Sequence, residues 1–132
     1  MKSIILSNGE LEIKEIENTL ETLQKIVGGY IEIPFLSHTL NQNNIRTIIN
    51  EEGKLIENMA PEIAVLDKKT NKLLDIVYGN CIFVGDNNDG NFIGLNEEQI
   101  KIVMNELKFE VALTYKDDEN NDGKLIVKAL FV

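Results

Sequence analysis

Cysteine is nearly absent from this 132-residue chain: Cys81 stands alone, so an internal disulfide is excluded. Nothing marks an oxidising compartment, and the cytoplasm is the expected location. Tryptophan is missing, and histidine (His38) and arginine (Arg46) occur once each. A zinc site of the usual Cys/His type would therefore need carboxylates for its other ligands, and no such spacing is visible. No apolar run approaches the ~20 residues that cross a bilayer. The opening stretch from Met1 to Gly9 turns polar too soon for a secretion signal. Bases are outnumbered 13 to 22, a net charge of −9, which disfavours broad binding to nucleic acid or to acidic membrane surfaces. What remains, 43% hydrophobic and 27% charged, is the composition of a soluble globular chain, and its length suits one domain spanning residues 1–132.

Local patterns predict the elements. Ser3 to Leu6 reads as a strand, Asn8-Gly9 as a two-residue hairpin turn, and Glu10 to Lys14 as a return strand with Leu11 and Ile13 on one face. Asn18 with Glu21 has the form of a capping box ahead of the stripe Leu20, Leu23, Ile26 and Val27, and Gly28-Gly29 supplies the helix stop. Tyr30 to Phe35 alternates as a strand, Ser37 to Asn44 is polar enough for a loop, and Ile45 to Asn50 reads as a strand. Pro61 to Leu66 has proline at the first position of one or two helical turns. Leu73 to Tyr78 and Cys81 to Val84 are two strands, or one strand bent at Gly79-Asn80.

Towards the C-terminus, Asn96 and Gln99 form a second capping box, and Ile100, Val103, Met104 and Leu107 repeat at helical spacing. Phe109 to Tyr115 alternates, an acidic turn runs from Asp117 to Gly123, and Lys124 to Val132 is apolar on nearly both faces. Such a strand is covered on both sides, as a central strand or by a second subunit, and a homodimer through Leu125 to Val132 is the form considered. The expectation is an α+β fold: a small, mostly antiparallel sheet, two amphipathic helices and a C-terminal β-hairpin.

Chemistry-bearing patterns are few. Asp118-x-Asn120-x-Asp122-Gly123 matches the opening of a calcium loop, but Ala129 stands where the closing bidentate acid belongs. A calcium-dependent module is thus an alternative, and an acidic hairpin turn suffices without metal. His38 falls in the predicted loop and Cys81 in an apolar run, so no nucleophile and base are assembled. Gly28-Gly29 follows a helix and precedes a strand, the reverse of a phosphate-binding loop. No catalytic residue, cofactor or metal set is expected. Acidity is the remaining lead: Glu10 and Glu12 stand about 6.6–6.8 Å apart along one strand face, near the phosphate spacing of a nucleic-acid strand. With Asp117, Asp118 and Asp122 they form the candidate protein-binding set, steering the chain to a basic target. A small nucleotide would instead need donors, for which Tyr30, Arg46, Lys54 and Asn58 are the candidates.

Several segments stand out together: Leu23 to Glu32, containing Val-Gly-Gly-Tyr-Ile-Glu; Asn50 to Leu55; Asn58 and Ala60; Asp75 to Gly79; Phe83 to Gly85; and Leu95 with Glu97 to Ile100. Through them the chain resembles, over about residues 1–107, a family of small bacterial and phage proteins catalogued as a domain of unknown function. Residues 108–132 are then a C-terminal hairpin extension that the short members lack. The resemblance implies a mobile-element accessory protein of low-GC bacteria and their phages, with no established catalytic residues. It further implies a counter-defence role: blocking a host immune effector, in the manner of an anti-CRISPR or a nucleic-acid mimic, or sequestering a small nucleotide immune signal.

Overall fold

The computed structural model describes residues 1–117 and 119–132. In chain order it contains β1 (Lys2–Ser7), β2 (Glu10–Glu15), α1 (Leu20–Val27), β3 (Ile31–Glu32), α2 (His38–Gln42), β4 (Ile45–Asn50) and a 3-10 turn (Gly53–Leu55). There follow β5 (Pro61–Leu66), β6 (Leu73–Tyr78), β7 (Cys81–Asp86), β8 (Phe92–Ile93), α3 (Glu97–Glu106), β9 (Glu110–Lys116) and β10 (Asp122–Phe131). The fold is α+β, mostly antiparallel, with the expected C-terminal hairpin β9–β10.

The strands divide into two sheets. The first runs β2-β1-β7-β4-β3, with β8 also on β7, and the second runs β6-β5-β10-β9. Asn8 (φ +53°) and Gly9 (φ +79°) turn the β1–β2 hairpin as their sequence predicts. Pairing within both sheets is antiparallel except β5 with β10, which aligns Ile63 with Lys128 and Leu66 with Phe131. β10 therefore lies inside the second sheet, between β5 and β9, and its two apolar faces mark a central strand.

Successive side chains of a strand point to opposite faces, and the first sheet uses both. Ile4, Leu6 and Phe83 point to a core shared with Ile63, Val65 and Leu130 of the second sheet and with Val103 and Leu107 at α3. Ile5, Ile82 and Val84 point the other way and pack on Leu23 and Val27 of α1. Burying Leu23 and Val27 contributes roughly 1.5–3 kcal/mol each. β7 is buried on both faces from Cys81 to Gly85, so it reads as a continuous apolar run.

Helix ends follow local chemistry. Asn96 accepts from the Gln99 N–H at 2.8 Å and Gln99 Oε1 from the Asn96 N–H at 3.0 Å, completing the expected capping box. For α1 the cap is Thr19, whose Oγ1 accepts from the Thr22 N–H, and not Asn18, whose amide donates to the Phe92 carbonyl at 2.8 Å. Gly28 ends that helix at φ +83°.

Two other readings are corrected, and one with two alternatives is decided. Pro61–Leu66 is a strand and not a helical turn, because β6 and β10 pair on its two sides. The Asn-rich stretch expected as a loop contains α2, capped by Ser37 on the Leu40 N–H and anchored by buried Leu40. Leu73–Tyr78 and Cys81–Asp86 are two strands, in different sheets, with Gly79 at φ +85° between them. Among the described residues no helix is long and apolar enough to cross a membrane.

Candidate functional site

The two sheets meet along a groove whose walls are β3 with the end of β4 on one side and β6 on the other. Its central part, about 310 Å³, is lined by Glu32, Ile49 to Leu55 and Asp75 to Tyr78. Through Leu36 and Asp75 it continues into a larger depression of about 520 Å³ bordered by Phe35, His38, Leu74, Phe131 and Val132. Through Asn50 and Glu52 it continues into a third, about 290 Å³, bordered by Gly28, Gly29, Tyr30 and Ile56.

Glycines bring the walls together. A Cβ on Gly29 would stand 2.9 Å from the Asn50 amide, and one on Gly53 would stand 2.8 Å from the Tyr78 carbonyl oxygen. Asn50 is buried, its amide donating to the Val27 carbonyl at 3.1 Å and its Oδ1 accepting from the Glu52 N–H at 2.8 Å. It thereby ties the end of α1 to the groove floor, a role with no signal in the sequence. Since the Tyr78 carbonyl belongs to the sheet, Gly53→Ala is expected to lower stability by about 1–3 kcal/mol, read from the urea midpoint. An unchanged midpoint would show that the turn slides away at no cost.

With these positions spent on packing, the side chains left facing solvent stand out. Leu55 is 84% exposed and Tyr30 71%, the two most exposed large apolar residues among those described. Phe35, Ile56, Leu73, Leu74 and Val132 are also exposed and border the same run of depressions, counting the outer face of β6. Around them stand Glu32, Glu51, Glu52 and Asp75 against Lys54. The Lys54 ammonium bonds to the Asp75 carboxylate, which raises its pKa above the ordinary lysine value. Both side chains are about half exposed, so the pair adds little stability.

The candidate donors separate. Tyr30 and Lys54 both reach the groove, whereas Arg46 lies apart, its Nε 3.0 Å from Asp86 Oδ2 and its Nη1 on the Ile45 carbonyl at 3.2 Å. Asn58 takes φ +67° in the exposed connection ahead of β5. His38 opens α2, edge-on to Phe35 with ring centroids 5.1 Å apart. Cys81 is buried, and desolvation, with the Glu62 carboxylate adding to it, pushes its thiol pKa up and away from the reactive thiolate.

The acidic candidates lie on different sheets. Glu10 and Glu12 are exposed on β2, an edge of the first sheet, on the same face as Lys14. At the hairpin tip of the second sheet, Asp117 accepts from the Asn121 N–H at 2.8 Å and the Glu119 N–H at 3.0 Å, bonds that hold its pKa below the usual carboxylate value. Asp122 pairs with Lys116 at 3.1 Å, and Asp118 lies outside the described residues. No three His, Cys, Asp or Glu among the described residues are placed to hold a metal ion.

A family model described as Domain of unknown function (DUF3846) matches residues 1–108, and the chain belongs to that family. Neither the curated proteins nor the solved structures contain a match to it.

Proposed function

We propose that this member of the family is a non-enzymatic binding protein of phage or mobile-element origin, acting in the bacterial cytoplasm by masking a host immune-effector protein. The groove between the sheets is its contact surface. One observation carries this reading: Tyr30 and Leu55, exposed side chains with no packing role, flank a groove rimmed by Glu32, Glu51, Glu52 and Asp75. Aromatic and aliphatic anchors inside a charged rim are the anatomy of a protein interface. The sign of the rim selects a basic partner surface of the kind that binds nucleic acid.

The same rim disfavours the nucleotide-sponge alternative. A phosphate entering beside Lys54 would meet four carboxylates, and Lys54 is itself paired with Asp75. Arg46, the strongest phosphate reader in the chain, is spent on Asp86.

The test is co-purification of the tagged chain from its native host, followed by titration of the recovered partner. Tyr30→Ala with Leu55→Ala is expected to weaken binding at least tenfold, about 1.4 kcal/mol. Glu10→Ala with Glu12→Ala, remote from the groove, is expected to change it less than threefold. Equal affinity in the Tyr30/Leu55 double variant would remove the groove as the contact surface. A thermal shift with a cyclic or linear nucleotide would restore the sponge.

A further inference from the structure

The outer strands of the two sheets are β2, β3, β6 and β9, and three of them are blunted. β2 carries Glu10, Glu12, Lys14 and Glu15. β3 is two residues long. β6 has an irregular register, and the Asp75 carboxylate takes its Ile76 N–H at 2.8 Å. These are the ordinary devices that stop a sheet from growing. β9, Glu-Val-Ala-Leu-Thr-Tyr-Lys, is the least protected: seven residues with an unbroken register to β10, no proline or glycine, and charges only at its two ends, Glu110 and Lys116, each already paired to β10.

The phase of the β9 ladder is fixed at both ends. The Ala129 N–H donates to the Phe109 carbonyl, and the Asp117 N–H donates to the Asn121 carbonyl, each at 2.9 Å. Polar main-chain groups alternate sides along a strand, so those of the odd residues face β10. The N–H and C=O groups of Glu110, Ala112, Thr114 and Lys116 face outward from the sheet.

We infer that β9 is the self-association surface of this chain, pairing antiparallel with β9 of a second copy about a two-fold axis at Leu113. This register sets Ala112 against Thr114 and Glu110 against Lys116 of the second copy, and each matched residue is one whose polar main-chain groups face outward. Opposite charges meet at both ends. Glu110 already bonds to Lys128 at 3.0 Å and Lys116 to Asp122 at 3.1 Å. Association therefore completes a row of alternating sign across four strands: Lys128, Glu110, then Lys116 and Asp122 of the second copy. On the opposite face Leu113 meets its own image, flanked by Tyr115 and Leu125, which are 48% and 41% exposed in the single chain. Moving the axis to Ala112 sets Glu110 against Thr114, and moving it to Thr114 sets Lys116 against Ala112. Both neighbouring registers lose the pairing of Glu110 with Lys116, while the one about Leu113 sets opposite charges together at both ends of the strand. An isologous contact of this kind closes at two copies.

The experiment is light scattering on the full chain across a concentration series, with a melt for each variant. The wild type is expected to reach twice the monomer mass. Ala112→Pro deletes one outward N–H, a change an edge strand tolerates, and is expected to raise the dissociation constant at least tenfold. Glu110→Lys alone and Lys116→Glu alone are each expected to give monomers. Combined they restore the dimer, although the bonds to Lys128 and Asp122 within each chain stay broken, so a general loss of folding is distinguished from loss of the contact. A wild type that stays monomeric throughout the series, or a combined variant no better than the singles, overturns the assignment.

Discussion

A chain ending at Lys108, the part matched by the family model, is expected not to fold on its own. Removing residues 109–132 takes away β9 and β10, two of the four strands of the second sheet. β10 buries Val127, Ala129 and Leu130, and Leu130 belongs to the core that includes Phe83 and Ile63. Truncating one buried leucine to alanine costs about 2–5 kcal/mol. Losing three buried residues with the ladder from Lys128 to Phe131 therefore reaches the ~5–15 kcal/mol that is the whole stability of a typical domain. The side of β5 that Lys128 to Phe131 now cover would become an apolar edge open to other chains. Circular dichroism and size exclusion decide the matter: the expectation is no cooperative melt and elution as aggregate. A truncated chain melting within a few degrees of the full one would show that the second sheet is dispensable to the core.

Glu62 carries the second large effect. Its carboxylate is buried on β5, yet its partners belong to the other sheet: Oε1 accepts the Gly9 N–H at 2.8 Å and Oε2 the Asn8 N–H at 3.0 Å. Both donors belong to the two turn residues at positive φ. Hydrogen bonds to an ionised group contribute about 1.5–3 kcal/mol each, less where the turn is partly wet. Glu62→Ala is therefore expected to cost about 2–4 kcal/mol, read from the denaturant midpoint. The Asn8 and Gly9 amides should lose hydrogen-exchange protection ahead of the rest of β1. Glu62→Gln keeps the shape but turns a donor on one of the two N–H groups, so it should fall between the wild type and alanine. A drop under about 0.5 kcal/mol for Glu62→Ala would mean that water replaces the carboxylate freely.

Legibility in the sequence followed the range of the interactions. The α3 cap and stripe, the Asn8-Gly9 turn and the C-terminal hairpin are written in residues a few positions apart, and all three form as read. Pro61 at a permitted first helical position points locally to a turn of helix at Pro61–Leu66, whereas the strand is imposed by β6 and by β10, which comes some sixty residues later. Asn18 lost its capping role to a carbonyl at Phe92, equally remote. The site shows the same division. Tyr30 and Lys54 could be singled out as residue types, but Asn50 and Leu55 gain their meaning only where the sheets meet. Arg46 qualifies as a donor by residue type, but its partner, Asp86, sits forty positions away and no local pattern announces the pair.

The parallel pairing of β5 with β10 also shapes how the protein is made. During synthesis Ile63 emerges long before Lys128, so the nascent chain must carry an unsatisfied strand while its neighbour is still being translated. Closing that loop taxes chain entropy before any contact rewards it, which slows the folding step and lengthens the window for misassembly. Ribosome-bound chains stalled short of β10 should therefore recruit holding chaperones, and release should coincide with arrival of the final strand.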